Sequence, residues 1–189
     1  MSDVLTRAEA RRLIDGCNGR DETRNRALLT LLYRAGLRSN EAAELWASDV
    51  RLVDGGGEVF VRKPKGWANG VPQRVVGFDA TAWEIVDAWL AERTPVAPRW
   101  LFYTRTGKQI QTSYMRQLVP RVASTVGIHR RCHPHILRHT FARQLYDEKK
   151  GMRTIQLLLG HTSLATTETY LKSIGAIQAV SEGKKREAW

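Results

Sequence analysis

Hydrophobic positions fall into helical stripes along most of the chain and change to a two-residue period only once. Thr6 and Glu9 form a capping box for a first helix through Leu13 and Ile14, ending near Gly16. Leu28, Leu31, Leu32 and Ala35 share one face of a second helix, which stops at Gly36. A third helix follows, with Ser39 placed to cap it and with Leu45 and Trp46 as its anchors. From Val50 to Phe78 the period becomes that of strands. Asp54 and Gly55 to Gly57 turn the chain between Arg51-Leu52-Val53 and Glu58 to Val61, and a further strand runs from Gln73 to Phe78. Helical spacing returns from about Ala80 to Glu92, burying Trp83, Val86 and Leu90, until Pro95 and Pro98 break it. Leu101 and Phe102 read as a short buried piece. A helix from about Thr112 to Val126 contains Pro120, where a kink or break is expected. Pro134 opens the next helix, which turns Leu137, Phe141 and Leu145 to the core. Ile155 to Leu159 form an apolar helix that Gly160 ends, and Ser163 caps a short helix carrying Tyr170. Leu171 to Val180 form one more helix, and Ser181 to Trp189 a polar, basic tail. The pattern predicts a mainly α fold with a small antiparallel β-sheet, an α+β domain over residues 1–180 with a tail over 181–189.

At 189 residues the chain is long enough for one domain with a proper core. Charge changes the picture more than length does. Thirty Lys and Arg against nineteen Asp and Glu leave +11, which favours a polyanionic partner such as nucleic acid over an acidic small molecule. Two cysteines, Cys17 and Cys132, are too few for a disulfide framework. With no run of about 18 apolar residues and no signal peptide, the sequence reads as soluble and cytoplasmic, with no membrane partner.

The candidate chemistry lies between His135 and Tyr170. His135 and Arg138, three apart on a helix, face one target, which should be anionic. Gly160 throws His161 out at a turn, and Tyr170 arrives on the helix after it. Upstream, Arg38 stands in the turn before the third helix, with Glu41 placed to brace it. Taken singly, each has an ordinary structural explanation, such as a cap, a wet core tyrosine or a solvated arginine. Cys132, His133, His135 and His139 also admit a zinc site, but no HExxH pattern accompanies them and Arg138 puts a fixed charge in the shell.

In order and spacing, Gly36-Leu37-Arg38-x-x-Glu41, the basic hairpin, His135-x-x-Arg138-His139, Leu158-Leu159-Gly160-His161 and Tyr170 resemble the catalytic domain of the tyrosine recombinases, the phage integrase family. The resemblance runs from Val4 to about Ile177. It implies a tyrosine recombinase catalytic-domain fold and cleavage and rejoining of double-stranded DNA through a 3′-phosphotyrosine, without metal, cofactor or ATP. Arg38 and Arg138 would fork onto phosphate oxygens and His161 add a third hydrogen bond. Tyr170 would be the nucleophile, with His135 as its base or hydrogen-bond partner. Lys65, followed by Gly66, would protonate the leaving oxygen, with Lys63 as the alternative. Lys63, Lys65, Arg130 and Arg131 are the expected DNA contacts. The resemblance also implies a homo-oligomer, a tetramer on DNA and a monomer without it, docking through Ile174 to Val180. The family's N-terminal helical clamp domain is absent from this sequence, so DNA binding by the chain alone should be weak and salt-sensitive. A type IB topoisomerase, a non-catalytic DNA-binding protein and a metal nuclease are the competing readings.

Overall fold

The computed structural model describes residues 4–64, 66–93, 99–161 and 163–172. Among these, seven α-helices surround a three-stranded sheet, in the order α1 (Arg7–Asp15), α2 (Glu22–Arg34), α3 (Ser39–Ala43), β1 (Val50–Val53), β2 (Gly56–Val61), β3 (Arg74–Asp79), α4 (Ala80–Glu92), α5 (Thr112–Thr125), α6 (Pro134–Asp147) and α7 (Met152–Leu159). A further helical stretch covers 164–172. The mixed helix and small-sheet architecture is the one the periodicity predicts.

Helix α2 is the axis of the fold. Ala27 through Tyr33 are all buried, because α1, α4 and α6 cover it on different sides. It stops where expected: Gly36 adopts φ 59°, and a Cβ there would lie 2.2 Å from Phe141 Cδ1, so a left-handed turn and a close helix crossing both require glycine. The α1 capping box is present, Thr6 Oγ1 accepting from Glu9 N–H at 3.1 Å and Glu9 accepting from Thr6 N–H at 2.8 Å.

The sheet is antiparallel in the order β1-β2-β3, with Val59 opposite Val76 and Val61 opposite Arg74. Val59, Val61, Val76 and Phe78 face α4 and the core, whereas Val75 is exposed. Gly56 and Gly57, expected in the turn, instead belong to β2. A Cβ on Gly57 would press within 2.6 Å of the Phe78 and Trp83 rings, so this part of the strand has to be bare. Helix α4 has its expected bounds but buries Trp89 with Val86, while Trp83 and Leu90 are only partly covered. The Trp89 indole satisfies itself by donating to Leu101 O at 2.9 Å. Helix α5 is not broken at Pro120; Met115, Leu118, Val119, Val122 and Ala123 hold both halves on the core, which outweighs one lost backbone bond. Ser39 is the first residue of α3, not its cap; Arg38 holds the cap position and Glu41 accepts its N–H at 2.9 Å. Pro95, Pro98 and the expected helix and tail beyond residue 172 lie outside the described residues.

The core is in two parts. The larger joins α1 to α6 and the sheet, and the smaller joins Phe141, Ala142 and Leu145 of α6 to Ile155 and Leu159 of α7 and to Leu171. Tyr170 and Leu158 pack on the smaller one. The Tyr170 helix therefore sits on α6 and α7 through a satellite cluster.

Candidate active site

The end of α7 is the anchor of the site. Its last turn leaves backbone carbonyls without helical partners, and arginines supply the donors. Arg138 of α6 donates through Nη2 to Leu159 O at 2.6 Å and through Nη1 to Gly36 O at 2.5 Å. Arg38 Nη1 reaches the same Leu159 O at 3.5 Å, and Arg74 Nε reaches Leu158 O at 3.3 Å. Gly160, at φ 61°, then turns the chain as expected and delivers His161. His161 N–H donates to Gln156 O, and Gln156 Nε2 donates to His161 O, both at 3.1 Å, so the backbone of the turn is held on each side.

Glu41, fully buried, is the counter-ion. Arg74 forks onto its two carboxylate oxygens at 3.0 and 2.9 Å, and Arg38 Nη1 donates to one of them at 3.0 Å. Burial alone would raise this carboxyl, but the Arg74 hydrogen bonds and charge, the Arg38 N–H and the Arg138 charge hold it below its usual range. Glu41 is therefore ionised. Three guanidiniums gather around one carboxylate, which among the described residues leaves two positive charges uncompensated in a largely dry setting. Desolvation, with Arg38 beside it, pulls Arg138 down to about 9, and at neutral pH it keeps its charge.

The imidazoles lie at the edge of this cluster. Burial first, and then the charges of Arg138, Arg38 and Arg74, hold His161 down at about 4, so it is neutral at physiological pH. Its Nδ1 lies 2.8 Å from Thr167 Oγ1. His135 is exposed and is also lowered, by partial burial and then by His133, Arg138, Arg38 and Arg116. Tyr170 is edge-on to His139, ring centroids 5.2 Å apart, and to His161 at 6.5 Å. His139 is in turn 6.3 Å from both His133 and His135. Among the described residues no group of three His, Cys, Asp or Glu side chains is placed to hold a metal ion.

Five of the six side chains expected to act together, Arg38, His135, Arg138, His161 and Tyr170, thus converge. The sixth, Lys65, lies outside the described residues. Lys63 is exposed and ion-paired to Glu44 at 3.2 Å. Arg131 is exposed, whereas Arg130 turns inward, to Val4 O at 2.8 Å and Glu9 at 2.9 Å. Both border an open groove of about 600 Å³ with Arg116, His129 and His133. Two contributors were missed from sequence. Arg74 read as one more residue of a hairpin strand, and His139 read as part of a doubtful zinc cluster and of the His135-x-x-Arg138-His139 motif, with no role of its own. No local pattern marked Arg74, because its partners Glu41 and Leu158 are remote in sequence.

The fold and the basic pocket beside a tyrosine define a class, and the sequence places the chain within it: it belongs to the phage integrase family, whose profile matches residues 3–174. It is 36% identical over 171 residues to tyrosine recombinase XerC of Pseudomonas aeruginosa, covering 88% of this chain and 54% of that protein. To XerC of Listeria welshimeri it is 34% identical over 153 residues, covering 78% and 49%. The chain therefore spans about half the length of these relatives. The crystal structure of XerA recombinase superposes with TM-score 0.79 at 27% identity over 100% of this chain and 67% of that one. XerH site-specific recombinase bound to difH substrate, a pre-cleavage complex, gives TM-score 0.76 at 27% identity over 93% and 54%. The fold is that of the tyrosine recombinase catalytic domains.

Proposed function

We propose that this chain carries the catalytic machinery of a site-specific DNA recombinase. The observation that carries the reading is the surplus of two positive charges around Glu41 among the described residues, with His161 at its edge and the Tyr170 ring edge-on to that imidazole. A site with fixed donors and an uncompensated charge is suited to an anionic centre that gains negative charge during reaction, as a phosphodiester does under nucleophilic attack.

In this reading Arg38 and Arg138 hold the nonbridging oxygens of the scissile phosphate, and His161 donates a third hydrogen bond. Tyr170 Oη attacks phosphorus, the P–O5′ bond breaks, and the tyrosyl proton passes toward His135. Lys65 supplies the proton to the leaving 5′ oxygen, with Lys63 as the alternative donor. The bond count is unchanged, so the phosphotyrosyl ester keeps the free energy of the broken link, and a second 5′ hydroxyl reverses the step without ATP. No step draws on a metal or an organic cofactor. The exposed Arg116, Arg131 and His129 beside the groove supply charge along which a duplex backbone can run.

The similarity to XerC and to DNA-bound XerH supports double-stranded DNA as the partner; residues 1–180 as the catalytic unit and 181–189 as a basic tail are part of the proposal. Assembly as a tetramer on DNA, and a cytoplasmic setting, belong to the same proposal. No described helix is long and apolar enough to cross a membrane.

A nicked suicide substrate tests it. Wild type should form a covalent protein–DNA adduct in EDTA, and Tyr170→Phe and Arg138→Ala should form little or none. Absence of adduct with wild type, or its persistence in Tyr170→Phe, overturns the proposal. Supercoil relaxation measured beside two-site recombination distinguishes a topoisomerase.

A further inference from the structure

Arg74 is the one guanidinium in the cluster that is committed in full to protein atoms through three of its nitrogens. It arrives as the first residue of β3, its side chain only 10% exposed, and spends Nη1 and Nη2 on Glu41 and Nε on Leu158 O. It fits because residue 160 is bare: a Cβ there would stand 2.7 Å from Arg74 Nη1. Arg38 is held differently. It gives Glu41 its backbone N–H and a single side-chain nitrogen.

We infer that Arg74 is a positioning residue: by occupying both oxygens of Glu41 it prevents that carboxylate from closing onto Arg38, whose guanidinium is left to grip phosphate. The inference rests on the recombinase reading and extends it to a residue that touches no DNA. Each Glu41 oxygen already receives two donors, one from Arg74 and one from Arg38. A carboxylate so filled has little capacity left for a second arm of Arg38. Remove Arg74, and Glu41 becomes a buried anion with Arg38 as its nearest cation. The favoured response is a bidentate pair, which neutralises Arg38 and turns its fork away from substrate.

The test is a charge suppression. Rates of covalent adduct formation on a nicked suicide substrate are compared for wild type, Arg74→Ala, Glu41→Gln and the double variant. Arg74→Ala should be at least 100-fold slower than wild type. Glu41→Gln/Arg74→Ala should recover at least tenfold over Arg74→Ala, because a neutral amide does not hold Arg38. A residue that merely fills space predicts the opposite, a double variant no faster than the single one, and that result overturns the inference. An Arg74→Ala rate within threefold of wild type overturns it as well. Where Arg74→Ala shows no cooperative melting transition above the assay temperature, Arg74→Gln, closer in size, replaces it in the same comparison. An inert wild type overturns the recombinase reading, and the inference with it.

Discussion

His161 Nδ1 lies 2.8 Å from the hydroxyl oxygen of Thr167, a side chain with no solvent exposure. With the threonine hydroxyl donating, the imidazole proton sits on Nε2, and the ring donates from that side. In that arrangement a neighbour six residues along fixes the tautomer and tilt of a ring that, in the proposed reaction, meets a phosphate oxygen. Thr167→Val keeps the volume and removes the hydroxyl. Adduct formation should fall about 10- to 100-fold, as for a misplaced catalytic group, with the melting temperature nearly unchanged. An unchanged rate in that variant removes Thr167 from the mechanism.

The depressed His161 sets a pH dependence of stability in the absence of DNA. Its folded value, about 4, is below the usual value of 6.5, so as pH falls through that window the unfolded chain takes up the proton first. The stability contributed by the neutral ring is complete above about 6.5 and is lost toward 4. His135, also lowered, acts in the same direction. Wild type should therefore lose more melting temperature between pH 7.5 and 5 than His161→Gln does. Equal losses would mean that neither burial nor the guanidiniums hold this ring neutral.

How much of this was legible beforehand depended on distance along the chain. Gly36, Gly160 and Ser163 mark local events, a left-handed turn or a cap, and the structure has two of them at φ 59° and 61° and the third accepting from Thr166 N–H at 3.2 Å. These turns carry Arg38, His161 and Tyr170, so the site could be read from its punctuation. Arg74 could not, because its partners lie 33 and 84 residues away and strand periodicity says nothing about them. The same limit explains Trp83 and Trp89. They lie about 120° apart around α4, and the face the fold buries is that of Ala82, Val86 and Trp89, where the indole donates to Leu101 O.

Arg138→Lys separates charge from geometry. The side chain is buried and bridges two carbonyls from different elements, Gly36 O and Leu159 O, with diverging nitrogens. An ammonium keeps the charge but reaches only one of them, and has no fork for a phosphate. Adduct formation should fall about 10²- to 10³-fold, the usual cost of losing one oxyanion donor. Single-turnover kinetics at saturating DNA check this, and a loss under threefold would assign Arg138 to charge alone.

Gly160→Ala tests the turn that joins the halves of the site. The φ of 61° costs a non-glycine residue roughly 1–2 kcal/mol, and the new methyl would also meet the Arg74 guanidinium at under 3 Å. Two effects should appear together. Strain of this size lowers the melting temperature by about 2–8 °C for a domain of this class. Displacement of Arg74 frees Glu41, so the adduct rate should fall at least tenfold more than a purely destabilised control such as Ala27→Gly, which lies in the α2 core away from the arginines. If the two variants lose activity in step with their melting temperatures, Gly160 serves only the backbone. If Gly160→Ala is the slower enzyme at matched stability, the space its missing side chain leaves is part of how the arginines are arranged.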